Sequence, residues 1–166
     1  MGSPANADLA IHECFITVPA LVEKFKFTPQ GALDVGTQVH TAPEAYGKLM
    51  SIIKPRMAVA FHFFNDFDTA PDIEKRIRTT YDGPLSLSTD YMVWNITKDE
   101  IRTRMAVFDE DVWPPQPTEK ALVPDPTLRI PFSETIANGK YDMKGVIQPI
   151  YDETNKKYGL SEKQGN

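Results

Sequence analysis

Three histidines are the side chains of this sequence best suited to chemistry. His12, His40 and His62 are the only histidines in the chain, and each lies at the end of an apolar run or directly before a helix start. In open α/β sheets, ligands bind in the crevice outside the carboxyl ends of parallel strands. If the runs before His12 and His62 form parallel strands, these two side chains share one edge of the sheet.

Each histidine also has an ordinary structural interpretation. His40 precedes Thr41, which forms the spacing of a capping box with Glu44, and the positive end of such a helix keeps an imidazole neutral and able to bind a metal. Without a metal, His40 is a local hydrogen-bonding residue beside the cap. For His12 and His62 the alternative is a partly buried ring that is satisfied by a backbone carbonyl.

The segment that follows His62 carries carboxylates and aromatic rings. Asn65-Asp66-Phe67-Asp68 could coordinate a cation, but Asp and Asn directly before a helix usually form a cap or an Asx turn, and we favour the cap. Phe63 and Phe64 are expected to form core and pocket wall, because no basic residues alternate with them as in a stacking platform for bases. Cys14, the single cysteine, is expected to pack as a small apolar residue.

The elements that position these residues follow from apolar patterning. Leu9–Ile11 and Met57–Phe61 are runs typical of buried strands, and a helix is predicted between them from about Ala42 to Lys54. This strand–helix–strand pattern predicts parallel strands joined by a right-handed crossover. A second helix is predicted to begin near Thr69. Its apolar face carries Ile73, Ile77 and Tyr81.

The rest of the chain divides into a hairpin, an arm and a tail. Alternating β-branched and aromatic residues predict an antiparallel hairpin from Tyr91 to Thr97 and from Glu100 to Phe108. Six prolines between 113 and 131 predict an extended arm. A helix is predicted from Met143 to Tyr158, kinked or interrupted at Pro149. The predicted regions are a linker or expression remnant (1–7), an α/β domain (8–112), a proline-rich arm (113–132) and a helical tail (133–166).

Composition excludes several classes of function. The 166 residues are 41% hydrophobic with a net charge of −5, which is typical of a soluble domain with one core. No apolar run approaches the roughly 20 residues of a membrane span, and the acidic balance argues against a nucleic-acid partner. One cysteine and no secretory leader predict a cytoplasmic location. Small molecules or proteins are the expected partners.

Four segments resemble one enzyme family. Residues 8–15, Asp-Leu-Ala-Ile-His-Glu-Cys-Phe, resemble the strand ending in His-Glu-Ala-Thr-Phe of the ribonuclease Z and arylsulfatase-like branch of the metallo-β-lactamase superfamily. His40-Thr41 before Pro43-Glu44 resembles its His-Ser-Thr motif. Ala60-Phe61-His62-Phe63 resembles its Leu-Thr-His-Phe strand end, and residues 81–90 resemble its closing strand. The four segments occur in the family's order and cover about residues 8 to 108.

The resemblance implies half of an αββα sandwich, with β-α-β-α followed by a hairpin, taken from a zinc-dependent hydrolase. It implies that His40 is the last zinc ligand and that His12, with Glu13 beside it, donates protons or supports the ligands. Zinc would lower the pKa of a bound water and stabilise the developing oxyanion. Substrate contacts are expected from the segment after the second strand, namely His62, Phe63, Phe64 and Asp66.

The sequence also departs from the family. The His-x-His-x-Asp-His loop, the next His and the bridging Asp are absent, so the chain resembles the carboxyl-terminal half and is predicted to be inactive alone. A missing N-terminal half or a partner chain would supply the other ligands. Asp66 and Asp68 stand near where ribonuclease Z has Ser and Arg, and they would repel a tRNA phosphate, which favours a small-molecule substrate.

Two other interpretations stay open. The chain could be a non-catalytic assembly or binding module, or a complete small enzyme that uses its three histidines in another arrangement. We expect the tail to act in assembly, forming a homo-oligomer with Ile147, Ile150 and Tyr151 as contact residues. The alternative is a tail that folds back on its own domain.

Overall fold

The computed structural model describes residues 7–107, 133–134, 138–139 and 141–160. The elements, in chain order, are β1 (Leu9–Glu13), α1 (Val18–Glu23), α2 (Pro29–Asp34), a π-helix (Val35–Val39), α3 (Pro43–Ile53), β2 (Met57–Phe61), α4 (Thr69–Ile77), β3 (Leu85–Leu87), β4 (Met92–Ile96), β5 (Ile101–Met105) and α5 (Lys144–Tyr158). The chain is therefore mixed α/β, as predicted.

A three-stranded parallel sheet forms the centre of the domain. The strand order is β1-β2-β3, and β1 and β2 pair along their whole lengths, from Leu9 opposite Met57 to Glu13 opposite Phe61. Helix α3 connects β1 to β2, and α4 connects β2 to β3, which is also parallel. The predicted parallel pair is confirmed, and His12 and His62 lie at neighbouring carboxyl ends.

The two faces of this sheet differ in burial. Ala58 and Ala60 are fully buried, and the space left by these small side chains is filled by large core residues from α3, Tyr46 and Met50. Neighbouring residues of a strand point to opposite faces, so Ile11 and Phe61 share the other face. Their exposed fractions are 55% and 42%, although Val59, which lies opposite Ile11 on the same face, is fully buried. Most of the core therefore lies on the α3 side of the sheet.

Helices α3 and α4 approach each other closely at one glycine. A Cβ atom on Gly47 would lie 2.6 Å from the carbonyl oxygen of Ile77 and closer still to the hydroxyl of Thr80. The Thr80 hydroxyl instead donates to the carbonyl oxygen of Glu44 at 2.8 Å. Only a residue without a side chain fits at position 47.

The capping box predicted at Thr41 and Glu44 is wrong. The residue that caps α3 is Ala42, with Pro43 in the first turn and no side-chain hydrogen bond from the cap. The backbone N–H of Thr41 donates instead to the Glu13 carboxylate at the end of β1. A charged acceptor from a distant segment has replaced the local one.

Helices α1 and α2 and the π-helix were not predicted. Thr17 and Thr28 cap α1 and α2 through their side-chain oxygens, and each helix has a proline in its first turn. A capping threonine followed by such a proline is a recognised start signal. The two helices are only six residues long, however, and are too short to show apolar periodicity.

The predicted hairpin is confirmed over the described residues. Strands β4 and β5 pair antiparallel, from Met92 opposite Met105 to Ile96 opposite Ile101. Phe108, the predicted end of the second strand, lies outside the described residues, as does the proline-rich arm 113–132. In contrast to β2, strand β5 is largely exposed.

Helix α5 packs against its own domain. Ile150, Tyr151 and Thr154 are buried, and Arg76 of α4 makes two hydrogen bonds of 3.0 Å to Glu153. Two of the contact residues proposed for assembly are thus used inside the chain, and the helix folds back. The helix is also not interrupted at Pro149, since this residue lies in its second turn and removes only one backbone hydrogen bond.

No helix in the described ranges combines the length and the apolar character needed to cross a membrane.

Candidate functional site

The three histidines converge at the carboxyl edge of the parallel sheet. His12 is the fourth residue of β1, His62 directly follows β2, and His40 lies between the π-helix and α3. The segment around His40 is held against the end of β1 by a backbone hydrogen bond of 2.9 Å from Phe15 to the carbonyl of Thr41. Residues far apart in sequence therefore meet at one edge.

The ring of His40 is the centre of this cluster. Phe15 stacks on it with ring centroids 4.0 Å apart, and the ring of His62 lies 5.0 Å away. Its Nδ1 atom is 3.5 Å from Oε2 of Glu13. The aromatic neighbours restrict the orientation of the imidazole, and the carboxylate defines which nitrogen faces the protein.

The Glu13 carboxylate has one satisfied and one unsatisfied oxygen. Oε1 accepts the backbone N–H of Thr41 at 2.5 Å. Oε2 is buried and accepts no hydrogen bond from any group in the described part of the chain, and its nearest cationic candidate is His40. A buried carboxylate oxygen without a donor is costly. A proton on Nδ1 of His40 would satisfy it and leave Nε2 with a free lone pair.

His12 has a defined tautomer. Its Nδ1 lies 2.7 Å from the carbonyl oxygen of Glu13, and a carbonyl can only accept, so Nδ1 carries the proton. The backbone carbonyl expected as the ordinary partner is therefore present. The same bond leaves Nε2 free to exchange a proton. The ring lies on the α3 side of the sheet, 6.3 Å from the ring of Tyr46.

His62 has an uncommon backbone conformation. Its φ angle is 75°, in the left-handed region that residues other than glycine rarely occupy. This conformation turns the chain sharply after β2, and the His62 ring lies 5.8 Å from Phe15 and 5.0 Å from His40. Such backbone strain is concentrated at functional sites.

The segment after His62 is used mainly for structure. Asp66 accepts the backbone N–H of Thr69 at the start of α4 and receives a hydrogen bond of 2.7 Å from Lys24. This bond and the α4 contact hold the pKa of Asp66 well below its usual range. Phe64 stacks on Phe25 with centroids 5.0 Å apart. Asp66 thus bonds the first N–H of α4, as a capping residue would, whereas Asp68 at the N-cap position itself makes no side-chain cap bond.

Cys14 lies next to the site but is not activated. The residue is completely buried, and burial raises the pKa of its thiol. A thiol that stays protonated is a poor nucleophile and metal ligand.

A cleft of about 420 Å³ opens beside the histidines, between α3 and the start of α5. Its polar end is formed by His12, Thr37, His40 and Thr41. The remaining walls are mainly apolar and are formed by Ala42, Ala45, Leu49, Met143 and Ile147, together with the ring of Tyr141 and its hydroxyl. Sequence reasoning missed this cleft because its walls come from two helices about 100 residues apart, whose packing no local pattern reveals.

The described ranges contain no group of three or more His, Cys, Asp and Glu side chains that could hold a metal ion. His40 is the only predicted zinc ligand. No family model matches the sequence, and no curated protein is significantly similar to it. The site must therefore be interpreted from its own geometry.

Proposed function

We propose that this chain is the carboxyl-terminal half of a zinc-dependent hydrolase of the metallo-β-lactamase fold that acts on a small molecule. One observation carries the proposal: the free, buried Oε2 of Glu13 lies 3.5 Å from Nδ1 of His40. Histidines that bind metals almost always donate their other ring N–H to a carboxylate, a carbonyl or water. The pair has the composition of such a ligand and its support.

The residues at this edge of the sheet can provide one zinc ligand. His40 offers Nε2, Glu13 orients the ring, and the N–H of Thr41 fixes the carboxylate. A catalytic zinc takes about three protein ligands. The other ligands would therefore come from a second polypeptide segment, either the missing half or a partner chain.

The open face of the sheet supports a second layer. Parallel sheets occur almost only with both faces covered. Here most of the core lies on the α3 side, and the other face is partly open, with Ile11 and Phe61 exposed and Val59 buried. In the proposed enzyme, the second half of the sandwich packs on this face and brings its ligands to His40.

The residues of this chain then have separate roles. Zinc, when bound, would supply a water of lowered pKa and stabilise the developing oxyanion. His40 holds its position through Glu13 and Phe15. His12 exchanges a proton at Nε2, because Nδ1 is committed to the backbone carbonyl of Glu13. The ring of His62, with its centroid 5.0 Å from that of His40, limits the space beside the His40 ring.

The experiment that tests the proposal uses the isolated chain and ZnCl₂. The ring nitrogens of the three histidines are followed by ¹H–¹⁵N NMR during a zinc titration. We expect His40 in the Nδ1–H form before zinc and a zinc-dependent change at its Nε2. Glu13→Gln should weaken this response about 10- to 100-fold. The control Glu44→Gln, which alters another partly buried carboxylate, should leave the response unchanged.

A proton on Nε2 of His40, or a zinc response that Glu13→Gln does not weaken, would contradict the proposal. The second candidate function, a binding module without chemistry, is favoured by the exposed apolar face alone. It predicts a partner that binds through Ile11 and Phe61, and His40→Ala should not change the affinity for that partner. Reconstitution with the ligand-bearing half separates the two, because only the enzyme gains hydrolytic activity on assembly.

A further inference from the structure

We infer that the cleft between α3 and α5 binds an uncharged, apolar substituent of the substrate and thereby places the scissile group at His12 and His40. This inference rests on the proposed function, because it takes the edge that carries these histidines as the place of the chemistry. It names the substrate class as a neutral molecule with an alkyl or aryl chain next to the group that is hydrolysed.

The walls of the cleft are suited to an apolar chain. Ala45 and Leu49 lie on α3 four residues apart and so project on the same side of the helix. Met143 and Ile147 form the facing wall at the start of α5. The small side chain of Ala45 leaves space between these walls, and burial of a ligand methylene there is favourable.

Charge further restricts the occupant. Among the described residues that line the cleft, none is Lys, Arg, Asp or Glu. A charged group would enter without an ion-pair partner and lose its hydration, which is strongly unfavourable. An acidic, basic or phosphorylated substituent is therefore excluded from the walls, and a neutral one is favoured.

The cleft also has a direction. His12 and His40 lie at its polar end, while Leu49 belongs to the apolar wall. The Thr37 hydroxyl, which also lines the cleft, already donates to the carbonyl oxygen of Leu33 at 2.7 Å. The two imidazoles, with the hydroxyls of Thr41 and Tyr141, are therefore the lining groups that can meet a carbonyl or similar polar group. The volume of about 420 Å³ is within the roughly 300–1,000 Å³ of small-molecule sites.

The experiment measures binding of methyl ketones, from 2-butanone to 2-nonanone, to the zinc-free full chain. These probes carry a neutral carbonyl on an alkyl chain and are not hydrolysed. Binding is followed by NMR shifts of the methyl groups of Ala45, Leu49 and Ile147. We expect affinity to rise about fourfold for each added methylene until the cleft is filled. Octanoate, which has a similar chain but a charge, should bind at least tenfold more weakly than 2-nonanone.

Leu49→Ala and Ile53→Ala form a matched pair. Both residues are partly buried on α3, but only Leu49 lines the cleft. Leu49→Ala should weaken 2-nonanone at least fivefold and 2-butanone less, while Ile53→Ala leaves both unchanged. Thermal unfolding shows whether each variant is folded, and Leu49→Val replaces Leu49→Ala if it is not.

Three results would overturn the inference: affinity independent of chain length, equal effects of the two variants, or NMR contacts showing that residues of this chain or of a second copy fill the cleft. These measurements need no zinc. If ketone binding fails but His40 responds normally to zinc, only this inference is overturned and the proposed function stays in place. If ketone binding is normal but the zinc response is missing, only the proposed function is overturned.

Discussion

Two carboxylates at neighbouring strand ends have opposite surroundings. Glu13, at the end of β1, has one oxygen bonded to Thr41 and another that is buried without a hydrogen-bond donor in the described structure. Asp66, beyond the end of β2, accepts the N–H of Thr69 at the start of α4 with one oxygen and bonds Lys24 with the other. One carboxylate has a buried oxygen without a hydrogen bond beside a histidine, and the other has both oxygens bonded.

The difference separates chemistry from structure at this edge. A buried polar group that is left incompletely bonded costs stability and is retained where it has another task. In the sequence Glu13 directly follows a histidine and Asp66 comes four residues after one; the residue pattern favoured a cap for the segment of Asp66, and the resemblance implied substrate contact. The oxygens of Asp66 are bonded within the fold, whereas Glu13 has a free oxygen beside His40, and the proposed function uses that oxygen.

The largest expected effect is that of His40→Ala. In the assembled enzyme this change should reduce zinc-dependent hydrolysis more than about 100-fold, because it removes the ligand itself rather than its support. Zinc content and turnover are measured on the same preparation. Unchanged zinc content would show that His40 is not a zinc ligand. The free oxygen of Glu13 would then have no role in zinc binding.

His12→Ala is expected to have the next largest effect. Loss of a positioned proton carrier typically costs about 100-fold or more in turnover. Zinc content should stay close to that of the unaltered enzyme, because Nδ1 of His12 is bonded to the carbonyl oxygen of Glu13 and is not a ligand. A parallel loss of zinc would place His12 among the ligands.

Glu13→Gln should reduce zinc affinity about 10- to 100-fold while the chain stays folded. Glutamine keeps an oxygen for the Thr41 N–H, but its other position is an amide that cannot accept from Nδ1 of His40. The measurement is the zinc affinity of the enzyme assembled from this chain and the ligand-bearing half, by competition with a chelating dye, with Glu44→Gln as the matched control. Equal effects of the two variants would show that Glu13 does not support a zinc ligand.

Asp66→Ala should have the smallest effect, limited to stability. At pH 7 the melting temperature should fall by a few degrees through loss of the cap and of the Lys24 bond, with zinc affinity unchanged. The folded-state pKa of Asp66 is lowered, so its contribution is present above the unfolded pKa of about 4 and is lost as the pH falls through the folded value. The difference between variant and parent should therefore shrink in acid. A variant that loses zinc binding would contradict this assignment.

The sheet and the hairpin could be predicted because their signals are local. The runs at residues 9–11 and 57–61 are continuous and apolar, and the crossover rule then places His12 and His62 at neighbouring strand ends. The hairpin was readable from its alternation. Helix α3 was predicted within one residue at each end, although its cap was assigned to the wrong residue.

The contact between His40 and Glu13 could not be derived from local pattern. The two residues are separated by α1, α2 and the π-helix, whose short lengths hide their apolar faces. The resemblance assigned roles to both residues, but it did not indicate that the Glu13 carboxylate lies 3.5 Å from the His40 ring. The cleft was hidden for a similar reason, since Ile147 and Leu49 meet only through the docking of α5.

The π-helix from Val35 to Val39 sets the angle at which His40 enters the site. The backbone N–H of His40 donates to the carbonyl of Val35, five residues back, so this turn holds one residue more than an α-helical turn. Each residue rotates an α-helix by about 100°. Deletion of a single residue here would convert the turn to α-helical geometry and rotate the following chain away from β1. The side chains of His12, Glu13, His40 and His62 would still be present, but His40 would no longer face Glu13.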